Sequence, residues 1–387
     1  MNRKNSLGDF PVIEAVFIRR PNRFVVICTV NGQETTAYMP NPGRMWELLF
    51  AGVALYVKKN PPEQKLPYTV LAVKREDTWI MLHTHWANDV AEVLLRSGQV
   101  PGLETATVVR REVKFGQHRF DFLLTKDEKP YYLEVKSCTL FEGSVAMFPD
   151  AITERGRSHV ETLTQLAQAE IGCGVLILIH WPYARYFLPD YHTDFAFAQT
   201  FCAASGQVDF YPLALNWHDQ LAYAVMPQQV TIPWNFLRGE VQDGGYYLAL
   251  FQFTAKTAVV APTGETFDLL PGYYLYADKV SENLTQAMNR LMRQRKKPIT
   301  LAENLRSKSA SCKVLAIRTT EAFDQQLHNV LEELALARQV IQWSPREMEE
   351  AMQLYKLAGN PVQDRRFIAL LQFFRMERLT TELELKK

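Results

Sequence analysis

Short apolar-polar alternations open the chain. Residues 12–20, 24–30, 35–39, 53–59, 68–74 and 79–83 are runs rich in β-branched and aromatic side chains, the make-up of half-buried strands. Gly32, Pro40, Gly43, Gly52, Pro61 and Pro62 punctuate them, as turn residues do. So many short strands in so little chain predict a small barrel, OB-like in kind. The period then lengthens to that of a helix over residues 87–95 and stops near Gly98.

From about residue 108 the pattern is of another kind. Residues 108–115, 119–124 and 131–137 read as consecutive strands, the last two joined by the polar turn 125–130. A helix follows, with Ser158 and Glu161 in capping-box spacing and Val160, Leu163, Leu166 and Ala167 on one face. It stops at Gly172, and the apolar run 175–179 has the length of a buried strand. Strands, helix and buried strand in this order predict an α/β layer. Residues 216–243 hold Pro227, Pro233 and Gly239 without a clear period and read as a linker. A second α/β segment follows, with strands at 246–253, 256–261 and 272–277 and a basic helix at 283–294. The C-terminal stretch reads as helical. Ser344, Pro345 and Glu347 stand as N-cap, first-turn proline and capping-box acid, and Gly359 to Pro361 separates that helix from a last one at 362–385. A chain of 387 residues exceeds one typical core, so two or three domains are expected.

Composition narrows the class. With 47% hydrophobic and 22% charged residues, the chain has the balance of a soluble globular protein, and no apolar run approaches the roughly 18–20 residues of a membrane span. Asp9 and Glu14 stand early, with no small-residue cleavage site after an apolar stretch, so no signal peptide is expected. Five cysteines are scattered, and none forms a C-x-x-C pair. Reduced thiols and a cytoplasmic location are the expectation, and a zinc site is not. His83 and His85, the close histidine pair, read as surface residues. A net charge of +1 excludes a globally basic nucleic-acid binder, yet residues 281–318 hold nine Lys/Arg against two Asp/Glu, a local +7.

One constellation carries chemistry. Strand alternation puts Glu134 and Lys136 on one face and Val135 on the other, with Asp121 on the preceding strand. Two carboxylates and a lysine can hold a divalent cation, Mg²⁺ or Mn²⁺, and activate water against a phosphodiester. Equally, Glu134 and Lys136 can pair with each other on a polar sheet face. Glu-x-Lys also occurs at Glu63, Glu112 and Glu384, and only the copy at Glu134 combines an apolar strand with an upstream carboxylate. Glu112 is the candidate third metal acid, or else an exposed partner of Arg110. Asp150, Arg155 and His159 stand near the expected helix start, where phosphate binding is favoured, with capping by Asp150 and packing by His159 as the alternatives. In the barrel, Arg20, Arg23, Arg44, Lys58 and Lys59 interleave with Tyr38 and Trp46, which suits a charged groove with stacking faces and also suits a barrel whose aromatics are core.

Longer motifs share one source. Asn41-Pro42-Gly43-Arg44-Met45, Arg119-Phe120-Asp121-Phe122, Glu134-Val135-Lys136-Ser137 and the string from Phe148 to Gly156 (FPDAITERG) resemble the sugar fermentation stimulation protein A family of prokaryotes, over roughly residues 10–215. The resemblance implies an N-terminal OB-like barrel, a PD-(D/E)XK nuclease-like domain and DNA binding. The superfamily pattern maps its metal acids onto Asp121 and Glu134 and its lysine onto Lys136. A Pro-Asp pair also occurs at Pro149 and Asp150, after the Glu-x-Lys and so in the wrong order for that motif. Residues 244–310 resemble a GIY-YIG-like module through Gly245-Tyr246-Tyr247-Leu248 and the run from Leu270 to Tyr276, followed by Arg290 and Arg293 on the basic helix. They depart from it at Ala277-Asp278 and Ala287, so a binding or structural module is expected there rather than an active nuclease, with Tyr247, Tyr274 and Tyr276 read equally as core.

The expected architecture is therefore β and α/β, multidomain. It comprises an OB-like barrel (1–83), a PD-(D/E)XK-like mixed sheet with helices (84–215), a linker (216–243), a degenerate GIY-YIG-like module (244–340) and a helical extension (341–387). The expected function is a DNA-binding protein with a metal-dependent nuclease-type centre, with RNA as the alternative partner. Arg44, Trp46, Lys58, Lys59, Arg155, His159, Arg290 and Arg293 are the expected nucleic-acid contacts. The alternatives are a non-catalytic DNA-binding regulator that keeps the nuclease fold, and an interaction protein in which the trio is a salt-bridge cluster.

Overall fold

A computed structural model of the chain describes residues 11–218, 221, 227–261, 264–293, 298–341 and 352–385. Two compact units divide it, the first running to Arg238 and taking in Met376 onward, the second covering Gly239–Arg375.

The first unit begins with the alternating runs. Strand β1 (Ile13–Asn22) pairs antiparallel with β2 (Val25–Val30), which pairs with β3 (Gln33–Tyr38). Strand β4 (Ala54–Lys59) lies on the other side of β1 and pairs with β5 (Tyr68–Arg75). Parallel pairing of Ala37 with Tyr68 and Tyr38 with Thr69 closes β3 on β5, so five strands form a closed barrel. Strand β6 (Thr78–Met81) is added beside β5. Closure removes the sheet edges that short strands would otherwise leave open. One side of the barrel is not solvated: Tyr56, Leu71, Trp79 and Met81 join a core with helix α1 (Ala87–Arg96) and the next sheet.

That sheet has six strands. Strands β7 (Thr107–Phe115), β8 (His118–Lys126) and β9 (Lys129–Cys138) form an antiparallel meander, and Asp127 and Glu128, both at positive φ, make the tight turn between the last two. Two short strands, β10 (Leu140–Glu142) and β11 (Val145–Phe148), lead out of the sheet. Helix α2 (Glu154–Gln168) then crosses back to β12 (Gly172–Ile179), parallel to β9. Strand β13 (Tyr186–Pro189) pairs with β11, and helix α3 (Phe195–Ala203) crosses to β14 (Asp209–Ala214), parallel to β12. Parallel neighbours require such helical crossovers. Helix α2 starts four residues before the expected Ser158, because Thr153 is its N-cap and accepts from the Gly156 N–H at 3.0 Å. The stretch expected to be a linker contains strand β15 (Gln228–Gln229), paired with β14, and helix α4 (Trp234–Glu240), in which the boundary between the units falls.

The second unit is built on a five-stranded antiparallel sheet. In chain order its elements are β16 (Gly245–Phe253), β17 (Thr257–Val260), β18 (Thr266–Leu269), β19 (Gly272–Val280), α5 (Leu284–Met292), α6 (Leu301–Lys308), β20 (Ser311–Arg318), α7 (Asp324–Leu334), β21 (Ala337–Ile341), β22 (Met352–Leu357) and α8 (Arg365–Gln372). Tyr247, Tyr274 and Tyr276 are core aromatics here. The expected helix from Ser344 lies partly outside the described residues, and where it is described it is wrong. Met352–Leu357 is a strand with Leu354, Tyr355 and Leu357 all buried, since a short apolar run takes whichever period its neighbours satisfy and β19 and β21 offer two open edges. Helix α9 (Arg378–Leu385) returns to the first unit. Among the described residues no helix is long and apolar enough to cross a membrane.

Candidate active site

The site forms where β8 and β9 part. Their ladder runs to the pair Phe122–Leu133 and ends there. Beyond it β8 stays with β7, while β9 continues beside β12 through the pair Val175–Glu134. A parting ladder strands backbone donors. Here the Asp121 carboxylate replaces the missing carbonyl: its Oδ2 accepts from the Val135 N–H at 2.7 Å. Its Oδ1 accepts from Asn88 Nδ2 on α1, also at 2.7 Å. The two bonds hold Asp121 from both sides.

Glu134 is held differently. Its Oε1 accepts from Lys136 Nζ and from His159 Nδ1, each at 2.5 Å. Arg155 Nε donates to His159 Nε2 at 3.4 Å, which leaves Nε2 as the acceptor nitrogen and Nδ1 as the donor toward Glu134. The Glu134 Oε2 atom is buried and has no hydrogen-bond partner among the described residues. Burial pushes the Asp121 carboxyl up to about 6, and the negative charge of Glu134 adds to the shift. Burial also pulls Glu134 upward, but Lys136 and His159 outweigh it and hold Glu134 below the usual carboxylate range. One carboxylate is thus held ionised by its hydrogen-bond donors, and it opposes ionisation of its neighbour.

This donor set fits a hard divalent cation. Both acids supply oxygen, the charge of Glu134 opposes that of Asp121, and one Glu134 oxygen is unused. Among the described residues no group of three or more His, Cys, Asp or Glu could hold a metal ion. A cation here would rest on two carboxylates, as Mg²⁺ commonly does, with water or substrate completing its shell.

The remaining predicted residues divide. Glu112 does not join the pair, nor does it pair with Arg110; its carboxylate lies 2.9 Å from Arg119, and its own backbone is left-handed. His159, expected as a nucleic-acid contact, is 3% exposed and bonds Glu134. Arg155 is exposed beside it. Asp150 does not cap α2, whose N-cap is Thr153. The Asp150 carboxylate lies against the barrel loop at Gly43. Arg44 lies over the Trp46 ring at 5.1 Å and Lys58 over Trp86 at 5.3 Å, while Lys59 is exposed. His83, expected at the surface, is 7% exposed and stacks on Trp86.

In the second unit the charge excess is partly neutralised. Arg290 lies 3.3 Å from Glu303, Arg318 is buried 3.3 Å from Asp243, and Lys308 donates to the Ala258 carbonyl. Arg293 is exposed at the end of α5. The departure at Asp278 has its own role, since it accepts the Tyr247 hydroxyl at 2.9 Å. Asn88 escaped sequence reasoning, because nothing in its helix marks which strand it will meet.

Comparison with known proteins adds a lineage to this geometry. The SfsA N-terminal OB domain matches residues 18–82, and the sugar fermentation stimulation protein RE domain matches residues 85–220. A homolog from Methanosphaera stadtmanae is 38% identical over 208 residues, 52% of this chain and 86% of that protein. The chain belongs to the sugar fermentation stimulation protein family. A second homolog of the family, from Clostridium tetani, is 36% identical over 192 residues, 49% of this chain and 84% of that protein. The family fold is shared with the SfsA of Pyrococcus furiosus, solved in complex with Ca²⁺. That structure is 24% identical, with a TM-score of 0.53 over 57% of this chain and 96% of its own. Both family matches lie within the first unit, before residue 221.

Proposed function

We propose that the chain binds DNA and hydrolyses its phosphodiester bonds with a divalent cation at Asp121 and Glu134, as PD-(D/E)XK nucleases do. One observation carries the reading: the partly buried Asp121 and the buried Glu134, on parting strands, oppose each other's charge, and Glu134 keeps one oxygen unused beside a lysine. A salt-bridge cluster of Glu134 with Lys136 does not need the second acid, whose charge is opposed by burial and by Glu134. That the Pyrococcus furiosus SfsA was solved in complex with Ca²⁺ is in keeping with an oxygen-ligand site in this family.

In this reading Asp121 and Glu134 hold Mg²⁺ or Mn²⁺, which, when bound, supplies Lewis acidity for the phosphate and lowers the pKa of water. Asn88 and the Val135 N–H fix Asp121, and His159 fixes Glu134. Lys136, on the Glu134 face, orients the attacking water and offsets charge gathering on the phosphate. Arg155 and the basic loops of the barrel grip the backbone on either side of the scissile bond.

The test is cleavage of labelled single-stranded DNA, duplex DNA and RNA with Mg²⁺ or Mn²⁺. Asp121→Ala is expected to lower the rate by more than about a hundredfold, since removing even outer partners of a metal ligand costs 10–100-fold. Chelation is expected to abolish it. Should no substrate be cut while salt-dependent binding persists and survives Lys136→Ala, the chain is a binding regulator with a retained nuclease fold.

A further inference from the structure

Arg20 on β1 is not the exposed barrel cation that its sequence suggests. Its Nη1 donates to the carbonyls of Gly43 at 2.6 Å and Arg44 at 3.0 Å. Its Nη2 donates to the carbonyls of Arg23 at 2.6 Å and Asn41 at 2.8 Å. One guanidinium therefore ties the hairpin between β1 and β2 to the loop after β3. Asn41 Oδ1 accepts from the Gly43 N–H at 2.9 Å, and the Asp150 carboxylate lies against the same loop at Gly43.

Each tied segment carries an arginine and an aromatic ring. The hairpin presents Arg23 and Phe24, both exposed, with Phe24 at 50% exposure, unusual for a phenyl ring. The loop presents Arg44 over Trp46. Arg19, just before the hairpin, is exposed as well. In OB barrels the connection between the first two strands is one of those that grip oligomers. A cation beside a ring suits a chain that alternates anionic backbone with flat bases, and every base offers a π-face.

We infer that the Arg23–Phe24 hairpin and the Arg44–Trp46 loop, fastened together by Arg20, form one stacking platform for unpaired bases. This deepens the nucleic-acid reading above and rests on it: the preferred substrate is a single-stranded segment or an unpaired end. Bases in a duplex are stacked on each other and cannot also cover Phe24. The platform is set before binding, so little ordering is required when the strand arrives.

The experiment measures anisotropy of a labelled oligo-dT of about twenty nucleotides, enough to cover an OB barrel, against a blunt duplex of equal length. It uses the full chain without added metal. Wild type is expected to bind the single strand more tightly. Phe24→Ala is expected to weaken that binding by about tenfold, in line with a lost base stack, and to leave duplex binding within about twofold. Phe24→Leu keeps the bulk without the π-face and is expected to behave as Phe24→Ala does, while Phe24→Trp retains binding. A duplex preference, equal losses on both substrates, or rescue by leucine overturns the platform while leaving nucleic-acid binding standing. Failure of wild type to bind either nucleic acid at low salt overturns both readings, and tight binding of a neutral oligosaccharide in that case reassigns the surface.

Discussion

Glu47 shows how a single side chain couples to pH. It is buried in the barrel loop, and burial pushes its carboxyl up to about 8, with the charge of Asp150 adding and Arg75 subtracting. Folded Glu47 therefore keeps its proton where unfolded Glu47 has lost it. Its contribution to stability is full below the unfolded value near 4.5 and falls as pH rises toward 8, where the folded group ionises. The loss reaches several kcal/mol, at about 1.4 kcal/mol for each tenfold change in proton affinity. Glu47→Gln cannot ionise, so its urea midpoint is expected to exceed that of wild type by an amount that grows between pH 5 and pH 9. A constant difference across that range would show that Glu47 is ionised in the fold. His159 carries the same lesson about context. Read alone it is a basic residue near a helix start; in place it is 3% exposed and spends its proton on Glu134.

At the scale of elements, the parting of β8 from β9 makes the site, and a glycine governs how the barrel loop meets the sheet domain. A Cβ on Gly43 would stand 2.6 Å from Asp150 Oδ1 and 2.7 Å from its Cγ, far inside contact distance. Gly43→Ala is expected to cost about 1–3 kcal/mol, the range for overpacking. In an Asp150→Ala background the added cost should nearly vanish, and a double-mutant cycle by urea unfolding measures the coupling. Additive losses would mean that the loop yields elsewhere. Strand and helix positions are largely legible from alternation and from the helical period, and the observed strands of the barrel lie close to the runs that predict them. The start of helix α2 reads too late because Ser158 and Glu161 mimic a capping box, whereas Thr153 is the residue that bonds the first turn. Strand β22 reads as helix because six apolar-rich residues fit either period.

For the molecule as a whole, the last helix belongs with the first unit rather than with the elements that precede it. Met376, Leu379 and Leu383 are buried, Ser144 bonds Thr380 at 3.2 Å, and Tyr186 donates to the Leu383 carbonyl at 3.4 Å. Ending the chain at Arg375 is expected to destabilise the first unit by several kcal/mol, since each buried leucine is worth about 2–5. Tryptophan fluorescence reads this, because six of the seven tryptophans lie at or before residue 234; an unchanged urea midpoint would refute it. The barrel, the α/β layer and the neighbouring strand positions of Asp121, Glu134 and Lys136 are legible along the chain, because periodicity and strand alternation are local and their spacing is written in it. Only the tertiary structure decided what those residues meet. Asn88, His159 and the Val135 N–H reach the site from separate elements, Asp150 and Arg20 turn from candidate ligand contacts into fasteners of the barrel loop, and part of the +7 excess is spent on internal partners. Such contacts join residues distant in sequence, and no local period records which distant side chain will arrive.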